Sequence, residues 1–498
     1  MSKYRKKIVL GIAGASRSCF PKAGFIHRLE TLVALLNKKF AGNSDVEIVC
    51  NIDAFQDDEG AQTVVQHLID NNVDAAVLFG INFTDEKSDV EFVRGMKKAG
   101  KKVMIIGAGE ESKASITPRP DGTCGRGDFK CGLLSANYGM MKAGLRLGQD
   151  YYIPPEPVGT PEVLVPWIEH FIGVIATYRA MTEAFLGIIG GRPDDFVTCE
   201  TPESIRQFGV KVKRLKYPDL MAAIEVAKKD TAAVDEVFAS MKAELGEGGQ
   251  GEVTDKVLRG MAEYEVALKA LIVKYGLTCA GQECWPIFEG LVGFVPCYVM
   301  SRLDEQGTPV VCEGDGNGAW TQVGAQAASN TSATMLDFNH DIPADLLAGT
   351  GVAKKNVAGV FHCGRTCKNC LKSGACLNFQ LIMASLMPKE ITFGTMEGTI
   401  NPGPVTIVRV HHHPCPPEVG GGFYQAFVVE GDIMDLDPST FGGTAVLKVD
   451  GLDDFYRDVM IERGFPHHVI IAFGHCGKIL IDALTMMAIP VFTNKPGK

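Results

Sequence analysis

Four separated segments in the second half of the chain carry carboxylate, amide and imidazole side chains. The apolar run VVC is followed at once by acids, which places Glu313 or Asp315 at the carboxyl end of a predicted strand, and Asp337 ends SATML in the same way. Open α/β sheets bind ligands at that edge. Carboxylates combined with an imidazole form a hard oxygen–nitrogen site that suits Mn²⁺ or Mg²⁺ better than zinc or copper. The segments are GQECW, CEGDGNGA, MLDFN and FPHHVIIAFGHCG, at residues 281–285, 312–319, 335–339 and 465–477.

Each of these residues also has an ordinary structural interpretation. A carboxylate after a strand often forms a turn or caps a helix, and Asp315 followed by Gly316 is a common turn pair. A single histidine such as His468 is more often a hydrogen-bonded structural residue than a ligand. Local pattern alone therefore leaves the choice of ligands open.

A second group of metal-binding side chains lies in HCGRTCKNCLKSGAC, which contains Cys363, Cys367, Cys370 and Cys376. This density of thiols suits a zinc ion or an iron–sulfur cluster. The first three cysteines have the C-x3-C-x2-C spacing of radical S-adenosylmethionine enzymes, but that motif belongs near the start of a barrel and here follows two α/β segments. We interpret the segment as free thiols in a loop, with a second metal or cluster site at Cys363, Cys367, Cys370 and Cys376 as the alternative.

Two further motifs are weaker. GIAGAS at residues 11–16 lacks the full glycine pattern of a dinucleotide site, so strand-to-helix packing or contact with a sugar is favoured over dinucleotide binding. His411, His412 and His413 follow the predicted strand VTIVRV. Because neighbours on a strand point to opposite faces, three consecutive histidines cannot all reach one ion, and we predict a loop position for them.

Composition restricts the class of protein. The 498 residues include 46% apolar and 22% charged residues, as expected for a globular enzyme of two or three domains. A net charge of −10 opposes binding to nucleic acid, which needs a basic face. No run reaches the roughly 18 apolar residues of a membrane span, and the amino terminus predicts a strand rather than a secretory signal. With fifteen cysteines that we expect to be reduced, the chain is predicted to be soluble and cytoplasmic.

The elements that must position these side chains form three predicted domains. In residues 1–165, apolar runs such as KIVLGIAG and DAAVLFGINF alternate with helical stretches, which predicts an N-terminal α/β domain with a parallel sheet. Residues 166–340 open with a long helix and contain the carboxylate segments, and we predict a central α/β domain. Residues 341–498 are rich in strands and turns, which predicts a β-rich, barrel-like C-terminal domain.

The spacing of the carboxylates and histidines resembles that of the L-fucose and L-arabinose isomerases. In L-fucose isomerases a glutamate is followed twenty-four residues later by a metal-binding aspartate, which is the separation of Glu313 and Asp337. Those enzymes carry a ligand histidine seven residues before the histidine of a G-H-x-G element, as His468 stands before GHCG here. The element G-Q-x-x-W recurs at residues 281–285. The domain order agrees along nearly the whole chain, with specific matches from residue 281 onward.

The resemblance implies a metal-dependent aldose–ketose isomerase in which Glu313, Asp337 and His468 bind Mn²⁺, or Mg²⁺ or Co²⁺. It assigns Glu313 and Asp337 a second task, the transfer of a proton between C1 and C2 of the sugar through an enediolate. It also implies a homo-trimer or homo-hexamer in which a neighbouring amino-terminal domain helps to close the site. The candidates for contact with the sugar are Gln282, Trp285, His467 and Arg17.

Several alternatives stay open. His362 is a weaker candidate for a fourth ligand, because its spacing from Asp337 differs from that in arabinose isomerases, and Arg17 can equally be a solvated loop residue. The chain can also be a non-catalytic sugar-binding protein of the same fold, or an iron–sulfur enzyme that uses the loop from Cys363 to Cys376. L-Fucose, D-arabinose, L-arabinose and a C6-modified hexose such as a sulfo-sugar all present the same C1–C2 unit to a metal.

Overall fold

The structure is a computed structural model that describes residues 2–118 and 125–494. It divides into two compact units, and the second contains both a parallel sheet and a barrel. The domain boundaries predicted after residues 165 and 340 stay a prediction. The first unit is Met1–Tyr178 with Asp482–Ala488, and the second is Arg179–Ile481 with Ile489–Lys498.

The first unit is built on a parallel sheet with the strand order β2-β1-β3-β4-β5, and β6 pairs with β4. The strands are short apolar runs that helical crossovers cover, the arrangement that parallel pairing requires. Gly80 and Gly107 allow the ring of Phe129 to lie on the sheet, because a Cβ at Gly80 would stand 2.0 Å from that ring. The strands are β1 Ile8–Ala15, β2 Val46–Phe55, β3 Ala75–Gly80, β4 Lys102–Ala108, β5 Tyr151–Tyr152 and β6 Val158–Gly159, and the helices are α1 Ile26–Lys39, α2 Asp58–Asp70, α3 Glu86–Lys98, α4 Lys113–Ile116, α5 Phe129–Lys142 and α6 Pro161–Thr182.

The second unit begins with a four-stranded parallel sheet of order β10-β9-β7-β8. Its last helix, α12, is rich in glycine and alanine and is buried along most of its length, because these small side chains allow close packing. The strands are β7 Phe185–Ile189, β8 Lys211–Leu215, β9 Cys279–Gln282 and β10 Val310–Val311, and the helices are α7 Tyr217–Ala227, α8 Thr231–Leu245, α9 Asp255–Tyr275, α10 Phe288–Val292, α11 Cys297–Glu305 and α12 Gly316–Ser329.

Six of the remaining strands form a closed antiparallel barrel. They follow one another in the order β17-β12-β11-β18-β15-β16, and β16 pairs with β17 to close the ring. Two parallel sheets followed by a barrel confirm the predicted fold class. The strands are β11 Ala333–His340, β12 Val357–His362, β13 Cys376–Phe379, β14 Phe393–Thr399, β15 Gly403–His412, β16 Tyr424–Ile433, β17 Gly443–Lys448, β18 His468–Phe473 and β19 Val491–Phe492, and the helices are α13 Leu452–Phe455 and α14 Gly477–Met486.

Two local predictions were wrong. Asp337 does not end a strand of the parallel sheet, because it lies within β11 of the barrel, opposite His468 of β18. His411 and His412 belong to β15, where they pair with β16, and only His413 follows the strand. In both places, backbone hydrogen bonds to a neighbouring barrel strand continue past the apolar run. The strand is therefore longer than the apolar residues alone predict.

Among the described residues, no helix combines the length and the apolar character that crossing a membrane requires.

Trp320 of α12 is a fully buried anchor of the second unit. Its indole N–H donates a 2.9 Å hydrogen bond to the carbonyl of Met181, and its ring packs against Phe208 and Tyr424. Trp320 therefore gives the helix both packing contacts and a buried hydrogen bond.

We expect Trp320→Ala to lower the free energy of unfolding by about 3–5 kcal/mol, because it leaves a cavity. Trp320→Phe keeps a ring but loses the indole hydrogen bond to the Met181 carbonyl, which costs about 0.5–1.5 kcal/mol. The midpoint of urea unfolding, followed by circular dichroism, measures both effects. Val273→Ala, at a position 81% exposed on α9, is the control, and equal midpoints for Trp320→Ala and this control would contradict the assignment.

Candidate metal centre and substrate cavity

The structure brings Glu313, Asp337 and His468 together from three elements of the second unit. Glu313 lies in the turn after β10, Asp337 lies in β11, and His468 opens β18. Antiparallel pairing sets Asp337 opposite His468, so that Asp337 Oδ1 lies 3.5 Å from His468 Nε2. Glu313 Oε2 lies 3.3 Å from the same nitrogen. Nε2 of His468 thus faces two carboxylates. Glu313 follows a strand of the parallel sheet, and Asp337 belongs to the barrel.

A left-handed turn directs Glu313 inward. Its φ is +61° and that of Gly314 is +69°, and a residue with a side chain adopts this conformation only where its surroundings hold it. A Cβ at Gly314 would stand 1.9 Å from the carbonyl oxygen of Gly191, so the turn packs tightly against the neighbouring loop. The indole N–H of Trp285 donates a 3.3 Å hydrogen bond to Glu313 Oε1. Backbone and side chain together orient this carboxylate.

His468 is held from behind by Asp315. Its Nδ1 lies 2.9 Å from Asp315 Oδ2, and this nitrogen carries the proton because a carboxylate only accepts. Asp315 also accepts two hydrogen bonds from Arg409, at 2.7 and 3.0 Å, and caps α12 through the N–H of Gly318. Asp315, one of the two carboxylates that the sequence left open as a ligand, thus orients the histidine instead.

The charges of these groups depend on one another. Burial would raise the pKa of Asp315, but the charge of Arg409 and the bond from His468 hold it well below its ordinary value. Burial also opposes ionisation of Glu313, yet His468 lowers its pKa overall. Burial lowers the pKa of His468, but Asp315, Cys199 and Glu313 raise it well above 6.5. Arg409 supplies positive charge to Asp315, and a proton on His468 or a cation would supply it to the carboxylates on the other side of the imidazole.

The donor atoms fit a hard divalent cation. Asp337 Oδ1 is buried without a hydrogen-bond partner, and Glu313 and His468 add one oxygen and one neutral nitrogen donor. In the described part of the chain, two sets of three side chains have ligand atoms within 4.8 Å of one another. His468 belongs to both sets, and a cation held by either set would be held in part by this imidazole. The sets are Cys199, Glu313 and His468, and Asp337, His467 and His468.

Cys199 is a site residue that the sequence analysis missed. Its thiol lies 3.8 Å from both Glu313 Oε2 and His468 Nδ1, and it is buried. It lies in a single helical turn, Val197–Cys199, and no motif surrounds it. Only the packing of this turn against β18 and the Glu313 turn reveals it.

A cavity of about 270 Å³ opens beside the carboxylates. Trp285 and His467, both predicted at the sugar, line it, and His467 Nε2 lies 4.0 Å from Asp337 Oδ1. Burial and the neighbouring His468 lower the pKa of His467, which favours its neutral form. Much of the remaining wall is apolar and consists of Phe196, Val295, Pro296, Phe361, Ile382, Met383 and Leu386.

Two other predicted sugar contacts have different surroundings. Gln282 is fully buried at the end of β9, and its carbonyl oxygen accepts a 2.6 Å hydrogen bond from Tyr264. Arg17 belongs to the first unit, where it forms a 2.5 Å ion pair with Glu86 and stacks on the ring of Phe83. Their role at a sugar stays a prediction.

The four cysteines of the predicted cluster do not converge. Cys363 lines the cavity beside His362, whereas the Cys367 thiol donates to the carbonyl of Ser301 at 3.0 Å. Cys370 lies 3.4 Å from the hydroxyl of Ser332, and Cys376 lies in β13. In the described residues these four thiols belong to neither set of close ligand atoms. Cys367 and Cys370 interact with each other, but the four thiols together form no common set of ligand atoms in the described residues.

His362, the weaker candidate for a fourth ligand, lines the same cavity. Its Nε2 is buried without a hydrogen-bond partner, and its ring centre lies 5.8 Å from that of His468. It is therefore a neighbour of the candidate centre.

Comparison with known proteins places both ends of the chain in one family. Residues 11–182 match the N-terminal domain of fucose/sulfoquinovose isomerases, and residues 360–494 match the C-terminal domain of L-fucose isomerase. Two sulfoquinovose isomerases, from Priestia aryabhattai and Priestia megaterium, are each 24% identical over 323 residues. That alignment covers 64% of this chain and 66% of each relative, just under two thirds of their length.

Solved structures add little. A protein of Rhodopseudomonas palustris is 10% identical over 70% of both chains, and a periplasmic solute-binding protein of Actinobacillus succinogenes with bound D-allose is 11% identical over 66% of this chain and 85% of that one. Both have a TM-score of 0.17 and carry no argument about the fold. The matched domains at both ends, in the expected order, support one assignment: this chain belongs to the fucose isomerase-like family.

Proposed function

We propose that this protein is a divalent-metal-dependent aldose–ketose isomerase. The observation that carries the proposal is the convergence of Glu313 and Asp337 on Nε2 of His468, beside a cavity, in a chain of the fucose isomerase-like family. The orientation of His468 by Asp315 supports it further, because histidines that bind metals usually donate their other N–H to a carboxylate.

Glu313, Asp337 and His468 would hold the cation, with Mn²⁺ favoured and Mg²⁺ or Co²⁺ as alternatives. A bound divalent cation supplies Lewis-acid stabilisation of the negative charge that develops on the C1 and C2 oxygens of the sugar. The protein contributes a site whose geometry is set before the sugar binds, because Asp315 orients His468 and Trp285 orients Glu313.

Proton transfer between C1 and C2 requires a positioned base that also returns the proton. Glu313 and Asp337 are the proposed bases. Against the effect of burial, His468 lowers the pKa of Glu313 and so keeps this carboxylate ionised at neutral pH, while Asp337 Oδ1 is buried without a hydrogen-bond partner. Trp285, which donates to Glu313 and lines the cavity, would position the sugar next to both carboxylates.

For the substrate we propose a neutral aldose of the L-fucose or arabinose type. The relatives are named for sulfoquinovose, whose sulfonate is anionic. The described residues that line this cavity include no lysine or arginine, and the carboxyl of Glu289 is among them. Apolar walls suit a methyl group or an unsubstituted end of a sugar better than a sulfonate. The resemblance further favours a homo-trimer or homo-hexamer.

Removal of the metal tests the proposed function. Protein stripped with a chelator is expected to lose aldose–ketose interconversion and to regain it with Mn²⁺, with solvent deuterium appearing at C1 or C2 of the sugar. L-Fucose, D-arabinose and L-arabinose are expected to turn over faster than sulfoquinovose, as measured by chromatography of the products. Binding of these sugars without turnover of any would favour a non-catalytic sugar-binding protein, and preference for sulfoquinovose would overturn the substrate assignment.

Neutralising either carboxylate is expected to abolish most of the activity. Glu313→Gln and Asp337→Asn should each lower kcat by about 10²–10⁴-fold, because each removes a charged ligand and a base. Steady-state kinetics with saturating Mn²⁺ measures the loss. Asp341→Asn, an exposed carboxylate one residue after β11, is the matched control. Wild-type kcat in either of the first two variants would remove that residue from the proposed site.

Asp315→Asn tests the support of His468 separately from catalysis. The amide oxygen can still accept from Gly318, but the loss of charge weakens the hold on the histidine, and we expect Mn²⁺ to bind about 10–100-fold more weakly. Titration calorimetry with Mn²⁺ measures this, and Asp435→Asn, at an exposed carboxylate, is the control. Unchanged Mn²⁺ affinity in Asp315→Asn would show that Asp315 does not support a metal ligand.

A further inference from the structure

A group of free thiols lies in the wall of the cavity. Cys284, Cys297 and Cys363 line it together with Glu313 and Asp337, and none of the three is in a disulfide. Cys284 and Cys297 are buried, whereas Cys363 is half-buried. The proposed isomerase chemistry uses none of them, so their presence beside the carboxylates needs a separate explanation.

The Cys363 thiol contacts the side chain of the preceding residue, His362. Its sulfur lies 3.5 Å from Nδ1 of His362, whose Nε2 is buried in the cavity wall without a hydrogen-bond partner. Two residues later, the buried Arg365 donates at 2.6 Å to Asp304 and at 2.9 Å to the carbonyl of Val310. These bonds fix the loop that follows β12 and hold the thiol next to the imidazole.

Cys297 comes from the helix that anchors this loop. It is the first residue of α11, and Asp304, the partner of Arg365, lies in the same helix. The Cys297 thiol interacts with those of Cys363 and Cys312. One helix therefore supplies both the anchor of the loop and a second thiol directed at Cys363.

The charges around Cys363 favour a reactive thiol. A hydrogen bond from Cys297 lowers the pKa of Cys363 to about 6 against the effect of burial. A thiol next to an imidazole, with a second thiol directed at it, is the arrangement of peroxide-sensitive cysteines.

We propose that Cys363 and Cys297 form a modification site that reacts with peroxides and closes to a disulfide in the cavity wall. The Cys363 thiolate attacks a peroxide oxygen, the O–O bond breaks, and the departing oxygen takes a proton to leave as water. The Cys297 thiol then attacks the Cys363 sulfenic acid, the S–S bond forms, and a second water leaves. Two thiols lose two electrons in total, and one hydrogen peroxide is reduced to two waters.

The disulfide would alter the wall of the proposed sugar site. It removes the thiolate that faces His362 and joins α11 to the loop after β12, so the cavity changes shape next to Asp337. Only this consequence, the reversible loss of turnover, rests on the proposed isomerase function. Zinc binding is a weaker explanation of the thiols, since in the described residues they form no set of three close ligand atoms.

Reduced full-length protein treated with hydrogen peroxide tests the site. Digestion without reductant followed by mass spectrometry is expected to find Cys297 joined to Cys363, and dithiothreitol to reverse this. In Cys297→Ser, dimedone should trap a sulfenic acid at Cys363, and in Cys363→Ser the label and the disulfide should both be absent. Cys131→Ser, at an exposed cysteine of α5, is the matched control and should form the disulfide as the wild type does.

Activity is measured in the same samples, each relative to its own untreated value. Turnover is expected to fall in step with disulfide formation in the wild type and in Cys131→Ser, and to recover with dithiothreitol. If Cys297 and Cys363 stay reduced while Cys19 and Cys131 are oxidised, the inference is wrong, whether or not the protein is an isomerase. A disulfide in a protein that turns over no aldose supports the thiol site and contradicts the proposed function.

Discussion

The buried carboxylate of Asp315 is the interaction on which the candidate centre depends. It accepts hydrogen bonds from Arg409 of β15, from His468 of β18 and from the first turn of α12, and it is fully buried. An ion left without partners in such a place costs about 3–5 kcal/mol, so the three elements must meet around it. The barrel and the parallel sheet are thereby tied together at the point where His468 presents its other nitrogen.

Strand register places the second carboxylate. Asp337 faces His468 because β11 and β18 pair in one particular register, and a slip of one residue would turn Asp337 to the other face of the barrel. Glu313 reaches the same point by another means, a left-handed turn that tight packing against Gly191 maintains. The parallel sheet thus supplies Glu313 and the barrel supplies Asp337 and His468. This explains why the three residues of the candidate centre are far apart in sequence.

The cavity has two chemically different sides. One carries Glu313, Asp337 and His467, and the other carries apolar side chains and thiols, including Cys363 next to His362. Apolar side chains next to a polar centre strengthen electrostatic interactions there, because they screen charges less than water does. The proposed proton transfer and the proposed thiol chemistry would therefore share one cavity, and a change in its wall would alter the surroundings of the carboxylates.

Residue patterns alone determined the fold class, and they selected Glu313, Asp337 and His468 through long spacings that resemble one family. They could not show that Asp315 orients His468, place Asp337 in the barrel, find Cys199 or locate the four clustered cysteines, and these outcomes depended on the tertiary structure. The physical reason is that periodicity and residue type predict which elements form, whereas the direction of a side chain depends on register, on a left-handed turn and on buried partners. Asp315 and Glu313 are two residues apart and chemically alike. Arg409 packs against Asp315, which therefore orients His468, whereas Glu313 faces the candidate metal centre.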